Sequence, residues 1–457
     1  MDTLPNSPEA RDIEYHMHPY TNARRHADVG PLVIERGEGI HLIDGAGNRY
    51  IEALAGLWSV AVGFSEERLV QAAAEQMRKL PYSHSFAHRS HNPAIDLAEK
   101  LIQLAPVPMS KVFFTNSGSE ANDTVMKLLW YRSNAMGQPQ RKKFISRLRG
   151  YHGITIASAS LTGLPYNHKS FDLPLPGVIH VGCPHFWREA REGESEEEFS
   201  TRLAAELDET IRREGPETIA AFIGEPVMGA GGVVVPPAGY WAKVQAVLRE
   251  HDIPLIADEV ICGFGRTGQM FGCQTLGIEP DIMVVSKQMT SSYLPMAAIL
   301  LNARIYEPIA DETARIGTFG HGFTTSGHPV AAAVSLENIR IIEERDLVGN
   351  AARVGAHMQR RLRELSALPI VGEVRGIGMI GAVELVADKA TKAPHGAVGA
   401  LGAAAAAAMQ AEGVLVRAIG DNVAVCPPLI TTEAQIDEIV DAFHLALRAV
   451  AAQHGLG

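Results

Sequence analysis

Cysteine is scarce in this chain, and the few cysteines present do not form a disulfide framework. The sequence has 457 residues and 4 cysteines, which are widely separated and include no Cys-x-x-Cys pair. Such usage argues against a disulfide-stabilised secreted domain and is typical of a reducing compartment. The N-terminal stretch also lacks the basic start and apolar core of a secretory signal. We therefore expect a cytoplasmic protein.

Long apolar runs and basic tracts are missing as well. No apolar stretch reaches the roughly 18 residues of a membrane-spanning helix, and the alanine run at 403–408 predicts a soluble helix. Lysine and arginine number 41 against 52 aspartates and glutamates, so the formal net charge is −11. Without a basic patch the chain has no electrostatic attraction for nucleic acid or for an anionic membrane. We expect neither as a partner.

Short apolar runs alternate with helical patterns, and this alternation predicts an α/β fold. Five runs have the length and spacing of buried parallel strands, namely 112–115, 144–146, 219–223, 254–257 and 282–285. A helix is expected after the first run, over 120–130. The acidic segment 191–217 predicts a solvated helix with pairs of opposite charge one turn apart.

The chain beyond about residue 330 has a different composition. Alanine-rich helices are predicted at 329–344 and 354–367, with short strands at 374–384, 413–416 and 423–426. We interpret this part as a smaller α+β domain, joined by N-terminal strands around 32–51. The predicted division is an N-terminal segment over 1–60, which contributes to the small domain and the active site, a large domain over 61–328 and a small C-terminal domain over 329–457.

Two charged residues directly follow predicted buried strands. Asp258 ends the 254–257 run, at the edge where open α/β sheets place their ligands. A buried carboxylate needs a cation or hydrogen-bond donors; a protonated pyridine nitrogen would serve, and so would Arg266 or a turn N–H. Lys287 follows the 282–285 run. Apolar surroundings disfavour its ammonium form and allow it to act as nucleophile and base, although an isolated lysine is ordinarily a solvated surface residue.

The segment Asn116-Ser117-Gly118-Ser119-Glu120 lies between a predicted strand and a predicted helix. Backbone N–H groups at a helix N-terminus, together with two hydroxyl groups, can bind an anion. The same residues also suit an ordinary helix cap, in which Ser117 or Ser119 accepts a backbone hydrogen bond. The residues alone leave both interpretations open.

Two further motifs carry little weight. Residues 263–268 match G-x-G-x-x-G, but the following segment, 269–278, is interrupted by glycine and polar residues and predicts no long helix. We therefore reject a nicotinamide-dependent oxidoreductase. His84, His88 and His91 have the spacing of metal ligands, but no glutamate lies within that spacing and no cysteine joins them. No metal site is expected from them.

Six segments together carry a family resemblance. They are FFTNSGSEAND (113–123), GYHG (150–153), GEPVMGAGG (224–232), LIADEVICGFGRTG (255–268), SKQMTSSYLP (286–295) and GFTTSGHP (322–329). In this order they resemble the class III aminotransferases, fold-type I enzymes that use pyridoxal 5'-phosphate (PLP). The resemblance extends over nearly the whole chain and is greatest to the (S)-selective amine:pyruvate, or ω-, transaminases. It implies a large domain with a mostly parallel mixed sheet and a smaller α+β domain.

The resemblance also implies roles for individual residues. Lys287 matches the lysine that binds PLP as a Schiff base and moves the substrate proton, and Asp258 matches the aspartate that faces the pyridine nitrogen. Tyr151 and Val260 match the residues on the two faces of the ring. Thr324 matches a phosphate ligand from the neighbouring subunit, which implies a homodimer and leaves a tetramer open. The implied cofactor-binding residues are Ser117, Gly118, Ser119, Tyr151, His152, Glu225, Asp258, Val260, Lys287 and Thr324.

The implied substrate pocket has aromatic and apolar walls, which accept an uncharged alkyl or arylalkyl group. Its residues are Tyr20, Leu57, Trp58, Phe86, Tyr151, Ala230 and Arg417. Core packing is the alternative for the wall residues. Ala230 stands where relatives acting on ornithine or γ-aminobutyrate-like substrates tend to have glutamate, and Gln288 replaces a glycine that often follows the lysine. Arg417 is expected to swing towards a keto-acid carboxylate and away from an apolar amine.

These residues and the resemblance predict a PLP-dependent aminotransferase. It would move an amino group from a primary amine or ω-amino acid to a keto acid, with pyruvate expected, by ping-pong kinetics. Two alternatives stay open. One is another PLP chemistry on the same scaffold, as a decarboxylase or an aminomutase, and the other is a non-catalytic PLP-binding protein.

Overall fold

In the part of the chain that the structure describes, the strands form one seven-stranded sheet and two four-stranded sheets. The computed structural model describes residues 4–456. Within this range the strands are β1 (Ile34–Glu38), β2 (His41–Asp44), β3 (Arg49–Glu52), β4 (Lys111–Thr115), β5 (Lys143–Arg147), β6 (Val178–Val181), β7 (Ile219–Gly224), β8 (Leu255–Asp258), β9 (Ile282–Val285), β10 (Ala297–Leu301), β11 (Val371–Ile377), β12 (Ile380–Leu385), β13 (Val414–Leu415), β14 (Arg417–Ile419) and β15 (Asn422–Val425).

Helices occupy most of the chain between these strands. They are α1 (Pro8–Tyr15), α2 (Ala23–Val29), α3 (Ala55–Trp58), α4 (Glu67–Lys79), α5 (Asn92–Leu104), α6 (Gly118–Ala135), α7 (Ile156–Leu161), α8 (Phe186–Glu189), α9 (Glu196–Glu214), α10 (Tyr240–Glu250), α11 (Gly272–Leu276), α12 (Ala303–Ile316), α13 (Pro329–Glu344), α14 (Leu347–Glu364), α15 (Ala400–Ala411) and α16 (Glu433–Gln453). No helix within residues 4–456 combines the length and the apolarity needed to cross a bilayer.

The seven-stranded sheet has the order β4-β10-β9-β8-β7-β5-β6. Its strands are parallel except β10, which is antiparallel to both neighbours. Alternate residues of β9 belong to different apolar clusters, Ile282 and Val284 to one and Met283 and Val285 to the other. The sheet is therefore covered on both faces, which explains why its central strands are continuous apolar runs. The predicted α/β fold with a mostly parallel mixed sheet is confirmed.

The five predicted strands are confirmed as β4, β5, β7, β8 and β9. The parallel pairing expected for the first of them is wrong, because β4 pairs with the antiparallel strand β10. β10 is missing from the sequence prediction. Its sequence, Ala297–Leu301, is apolar throughout, and a short apolar run has no periodicity that separates strand from helix.

The two helices predicted in the large domain are present with different ends. α6 begins at Gly118, two residues before the predicted start, because the Ser117 side chain accepts a hydrogen bond from the Glu120 N–H and caps the helix. α9 occupies the middle of the acidic segment and starts with a capping box of Ser195 and Glu198. It also has a buried apolar face, so the segment is amphipathic rather than solvated all round.

The C-terminal part departs from the predicted strands in two places, one of which is β14, a strand that was not predicted. The single strand predicted at 374–384 is wrong, since the chain reverses and forms the hairpin of β11 and β12. Gly378 lies in the turn with φ +55°, a left-handed conformation that favours glycine. β11, β12, β15 and β14 form an antiparallel sheet in that order, and the predicted soluble alanine-rich helix is α15.

The N-terminal strands share a sheet with the C-terminal part. β1, β2 and β3 are antiparallel neighbours, and β13 pairs with β3 in parallel. The predicted division assumed such pairing, because it assigned the N-terminal strands to the small C-terminal domain. The boundaries at residues 60 and 328 stay a prediction.

Candidate active site

Polar side chains meet in one cavity at the carboxyl edge of the seven-stranded sheet. Parallel strands bring their carboxyl ends to the same edge, and ligands of open α/β sheets bind there. The cavity has a volume of about 370 Å³. Every predicted cofactor-binding residue except Thr324 lines it, that is, Ser117, Gly118, Ser119, Tyr151, His152, Glu225, Asp258, Val260 and Lys287. These residues come from the ends of β4, β5, β7, β8 and β9.

Asp258 is buried and held by three hydrogen bonds. Its Oδ2 lies 2.8 Å from His152 Nδ1 and accepts from Asn122 Nδ2 at 3.0 Å, and its Oδ1 accepts from the Val260 N–H at 3.2 Å. A carboxylate only accepts, so Nδ1 is the protonated nitrogen of His152. The alternative of a pair with Arg266 is wrong, because that guanidinium donates to two backbone carbonyls and to a glutamine side chain.

Lys287 follows β9 in an unusual backbone conformation. Its φ is 44°, in the left-handed region that few residues other than glycine adopt. Burial lowers the pKa of the Lys287 ammonium group, although the negative charges of Asp258 and Glu225 oppose that shift. Within residues 4–456 its Nζ has no hydrogen-bond partner. The alternative of a solvated surface lysine is wrong, since the backbone of Lys287 is strained and its desolvated amine lines the cavity.

The N-terminus of α6 forms one end of the cavity. Ser117 caps the helix, while Ser119 Oγ accepts a hydrogen bond from the Ile154 N–H at 3.2 Å. A Cβ atom added at Gly118 would lie 3.2 Å from Val260 Cγ2, so this turn packs closely on the second residue after Asp258. The capping interpretation is therefore confirmed for Ser117. The free N–H groups of an 18-residue helix still face the cavity and suit an anion.

Two residues at the ends of β5 and β7 hold each other in place. The Glu225 carboxylate accepts hydrogen bonds from the Tyr151 N–H at 3.0 Å and from the Gly229 N–H at 2.9 Å. Burial raises the pKa of Glu225. Burial also raises the pKa of the Tyr151 phenol, the neighbouring Tyr20 adds to the shift, and the charge of Arg417 opposes it.

Asn122 is a functional residue that the sequence did not reveal. It lies one turn into α6, where its Nδ2 donates to Asp258 and to the His152 carbonyl at 2.7 Å. The only signal was its type, since a buried asparagine inside a helix must find partners for its amide. Nothing local in the sequence shows that the partner is an aspartate 136 residues away.

Comparison with known proteins agrees with this geometry. The sequence profile of the class III aminotransferases matches residues 22–447. The chain belongs to the class III aminotransferases. Over 431 residues this aminotransferase is 49% identical to γ-aminobutyrate transaminase 1, mitochondrial, of Solanum lycopersicum, covering 94% of the present chain and 84% of the tomato protein.

Solved structures of transaminases share its fold. An ω-transaminase from Pseudomonas jessenii in complex with PMP has a TM-score of 0.98 and 61% identity, with 99% of this chain and 100% of that chain covered. A transaminase solved with L-Ala has a TM-score of 0.92 and 66% identity, with 92% and 100% covered. The fold-type I architecture implied by the resemblance is confirmed. The helix after 263–268, α11, has only five residues, so the dinucleotide motif lacks its structural context here.

The cofactor of this aminotransferase is PLP, and the cavity fits it. PLP offers an aldehyde, a basic ring nitrogen and a phosphate. The cavity offers an unpartnered amine on Lys287, a carboxylate on Asp258 and a helix N-terminus at Gly118. Two buried polar atoms around Asp258, His152 Nε2 and Asn122 Oδ1, have no hydrogen-bond partner among the described residues. The amine, the carboxylate and the helix N-terminus of the cavity therefore match the aldehyde, the ring nitrogen and the phosphate of PLP.

Gln288, the departure from the family pattern, has a structural role. Its side chain is buried, donates from Nε2 to the Ile261 and Gly263 carbonyls, and accepts from the Arg266 guanidinium. Because Gln288 directly follows Lys287, these hydrogen bonds connect the loop after β8 to the backbone beside the lysine. Its substitution for glycine leaves the lysine in place.

The predicted wall residues lie at different depths in the single chain. Tyr20, Leu57 and Phe86 are 56%, 54% and 46% exposed, whereas Trp58 is 1% exposed and belongs to an apolar core cluster. Core packing is therefore what the structure shows for Trp58. Asn167 Nδ2 donates to the Tyr20 hydroxyl at 2.6 Å, which fixes that ring near Tyr151. The roles of these residues towards substrate stay predictions.

The turn that carries Leu57 and Trp58 is held by a buried carboxylate. Glu52 accepts a hydrogen bond from the Leu54 N–H at 2.9 Å, just before residues 55–58, whose φ angles at Ala55, Gly56 and Trp58 are positive. Burial raises the pKa of Glu52 to about 7, although backbone N–H groups oppose the shift. Since the ordinary value is 4.5, the proton stabilises the fold fully below pH 4.5 and this stabilisation is lost as the pH rises through 7.

The Glu52→Gln variant should lose this pH dependence. Its side chain is neutral at every pH, so its stability relative to the parent protein should rise by about 1–3 kcal/mol between pH 5 and pH 8. Thermal unfolding of the PLP-loaded proteins at several pH values measures the difference. Glu35→Gln, at an exposed position of β1, is the matched control and should give a difference independent of pH. The same trend in both variants would show that Glu52 is not the titrating group.

Proposed function

We propose that this aminotransferase transfers an amino group from a primary amine to pyruvate in two ping-pong half-reactions. The observation that carries the proposal is the setting of Arg417, the first residue of the edge strand β14. Within residues 4–456 its guanidinium has no ion-pair or hydrogen-bond partner. Its charge is close enough to oppose the rise in the Tyr151 pKa that burial causes. An unpaired cation beside aromatic rings suits a site that must accept a carboxylate and an apolar group in turn.

The chain's own residues perform the proton transfers and the positioning. When bound, PLP supplies the electron sink that accepts the electron pair left on the substrate carbon. Lys287 would hold the cofactor covalently in the resting enzyme. Once the substrate amine has displaced it, its Nζ, with a pKa lowered by burial, would be the base that takes the proton from the substrate carbon. Asp258, oriented by His152 and Asn122, would keep the ring nitrogen protonated. Ser119 and the α6 N-terminus would bind the phosphate.

The two substrates pose a charge problem that Arg417 would solve. A fixed arginine would be left unpaired and desolvated against the apolar group of an amine, which is costly. A mobile arginine pairs with the carboxylate of a keto acid through two parallel hydrogen bonds and swings to solvent for the amine. Arg417 is half-buried at the start of an edge strand. Gly420, in the turn after that strand, has φ +59°.

Arg417→Ala should separate the two half-reactions. We expect the pyruvate half-reaction to lose about 2–3 kcal/mol, the cost of a charge-assisted bidentate pair. The half-reaction with an arylalkylamine that has no carboxylate should change far less and is the internal control. Single-turnover stopped-flow absorbance of the bound cofactor follows each step separately. Equal slowing of both steps, or an unchanged pyruvate step, would exclude this role for Arg417.

A second candidate donor is an ω-amino acid. The 49% identity to a γ-aminobutyrate transaminase favours this donor. Ala230, in the buried loop after β7, argues against it, because enzymes for such donors are expected to have glutamate at this position. A panel with an arylalkylamine, γ-aminobutyrate and β-alanine, each at limiting concentration, compares the single-turnover rates. A γ-aminobutyrate rate that exceeds the arylalkylamine rate and falls with Arg417→Ala would assign the ω-amino acid as the preferred donor.

We further propose a homodimer in which Thr324 serves the neighbouring subunit. Thr324 is exposed and does not line the cavity of its own chain, and its carbonyl accepts a hydrogen bond from the Tyr82 hydroxyl at 2.7 Å. A Cβ atom at Gly322 would lie 2.5 Å from the Phe86 ring, so the same loop packs on a predicted substrate residue.

Complementation between two defective chains tests this arrangement. A heterodimer of a Lys287→Ala chain and a Thr324→Ala chain contains one intact site only if Thr324 acts across the interface. At PLP concentrations where the Thr324→Ala homodimer loses cofactor, we expect about half of the parent activity per dimer, since one of two sites is restored. A heterodimer as inactive as the Thr324→Ala homodimer would place Thr324 in its own subunit's site.

We propose a cytoplasmic location as well. All four cysteines, at positions 183, 262, 273 and 426, are buried free thiols, which suits a reducing compartment. The plant relatives have names that place them in mitochondria or chloroplasts, so fractionation of the native cells is the direct test.

A further inference from the structure

Three histidines near the N-terminus converge on a single carboxylate. Asp12 Oδ1 lies 3.2 Å from His16 Nδ1, and Asp12 Oδ2 lies 2.8 Å from His18 Nε2 and 2.9 Å from His26 Nε2. The rings of neighbouring histidines are close, with centroids 4.3 Å apart for both pairs. Asp12 and His16 are one helical turn apart at the end of α1, whereas His26 lies in α2. We call these four residues the N-terminal histidine cluster.

Two other groups among the described residues also bring three possible metal ligands together, but arginines already occupy them. In the group of His185, Glu373 and Glu384, Arg375 pairs with both glutamates. In the group of Asp208, Glu250 and His251, one guanidinium, that of Arg212, binds both carboxylates. A cation bound in these positions would be repelled by the arginine. Such groups are ion-pair networks rather than metal sites.

The N-terminal histidine cluster differs from them in charge. Within residues 4–456 the hydrogen-bond partners of the Asp12 side chain are the three histidines alone, and no lysine or arginine forms an ion pair with it. An imidazole binds a metal in its neutral form, and one carboxylate with three such imidazoles offers the ion a ligand set of net charge −1. Imidazole nitrogens with a carboxylate oxygen are also the ligand types that Zn²⁺ prefers.

The distances bring three ligands to one place and a fourth beside them. Four ligand atoms at Zn²⁺ bond lengths of about 2.1 Å lie about 3.4 Å from one another. The three nitrogen–oxygen distances to Asp12 are 2.8 to 3.2 Å, and the ligand atoms of Asp12, His16 and His18 all lie within 4.8 Å of one another. These three residues form the core of the site, and His26 would move towards it to complete the tetrahedral set. His16 is 62% exposed on its side chain and His26 only 13%, which leaves a path for the ion on the His16 side. From this geometry we propose that Asp12, His16, His18 and His26 form a Zn²⁺ site.

A metal at this position would fasten the segment that leads to the substrate pocket. His18 is two residues before Tyr20, and α1 and α2 are joined through residues 16–22. Apart from the cluster, the linker is fixed by the hydrogen bond from Asn167 to the Tyr20 hydroxyl. An ion bound by ligands from α1, the linker and α2 would hold all three together and limit the motion of Tyr20. The site would thus be structural and separate from the PLP cavity.

Titration of the tag-free, PLP-loaded enzyme with Zn²⁺ tests the site. Isothermal titration calorimetry should show one equivalent bound per chain, and equilibrium dialysis with elemental analysis should give the same stoichiometry. His18→Gln and His26→Gln should each weaken binding by at least ~10-fold, since even residues outside the ligand shell cost that much in metal sites. His251→Gln, which removes the histidine of the arginine-occupied group, is the matched control and should bind Zn²⁺ like the parent protein.

A second readout reports on the segment itself. Arg24 and Arg25 lie beside His26 in α2 and are trypsin sites. Zn²⁺ should slow cleavage there in the parent and in His251→Gln, but not in His18→Gln, with cleavage elsewhere in the chain as the internal reference. Absorbance of bound PLP verifies that every variant is folded. No saturable binding to the parent, or parent-like affinity in a His18→Gln/His26→Gln double variant, would overturn the proposal.

Discussion

Lys287→Ala should retain PLP without a covalent bond and lose nearly all transamination. The alanine removes the one amine that lines the cavity with no hydrogen-bond partner among residues 4–456. It thereby removes both the covalent anchor and the group that moves the substrate proton. General acid–base catalysis alone contributes about 10²–10⁴-fold, so we expect the rate of each half-reaction to fall by at least ~10³-fold.

Stopped-flow single turnovers with amine and with pyruvate measure this loss. Lys143→Ala is the control, because that lysine pairs with Glu214 at the far end of β5 and does not line the cavity. A small primary amine added to the solution should partly restore the rate in Lys287→Ala, since it can carry the proton in place of Nζ; a merely structural defect would not respond. Turnover above a few per cent of the parent without added amine would falsify the assignment of Lys287 as the base.

Asp258→Asn should slow both half-reactions by at least ~10²-fold, the scale of losing one electrostatic or proton-transfer element. The amide keeps the size of the side chain and can still accept from His152 Nδ1. What it removes is the negative charge that keeps the ring nitrogen protonated. We therefore expect PLP to remain bound while its absorbance spectrum shifts and the chemical step slows.

The neighbouring carboxylate provides a matched control. Glu259 is also buried, but it accepts hydrogen bonds from the Gly272 and Cys273 N–H groups and does not line the cavity. Burial raises the pKa of Glu259 to about 7, so Glu259→Gln removes a carboxylate that is only partly charged at neutral pH and lies outside the cavity, and it should cost less than ~10-fold. An unchanged half-reaction in Asp258→Asn, or equal losses in both variants, would remove Asp258 from the mechanism.

Strands that are buried on both faces are predictable from sequence because every residue must be apolar. This is why β7, β8 and β9 were recognisable, and why the polar residues directly after them could be placed at one edge of the sheet. β10 has the same apolar character but was not predicted, because a short apolar run alone does not distinguish a strand from a helix, and its antiparallel pairing left no local signal. Strand direction depends on how the connecting chain packs, which no local pattern records.

Partners that lie far apart in the sequence could not be predicted in the same way. The sequence left open whether Asp258 would face Arg266, a turn or a pyridine nitrogen. The structure orients it through Asn122 and His152, while Gln288 takes part in binding Arg266. Hydrogen bonds of this kind are set when helices pack on the sheet, because each buried polar group must then find a donor or acceptor.

By itself, the sequence determined the α/β fold, the family and the cavity residues at the strand ends, since these depend on local apolar patterns and contiguous motifs. Only the tertiary structure decided the burial of Glu52, the hairpin at Gly378 and the meeting of three histidines at Asp12. The physical reason is that the burial of a carboxylate, the point at which a chain reverses and the convergence of side chains on one group depend on the three-dimensional course of the backbone, which local apolar patterns and motifs do not record.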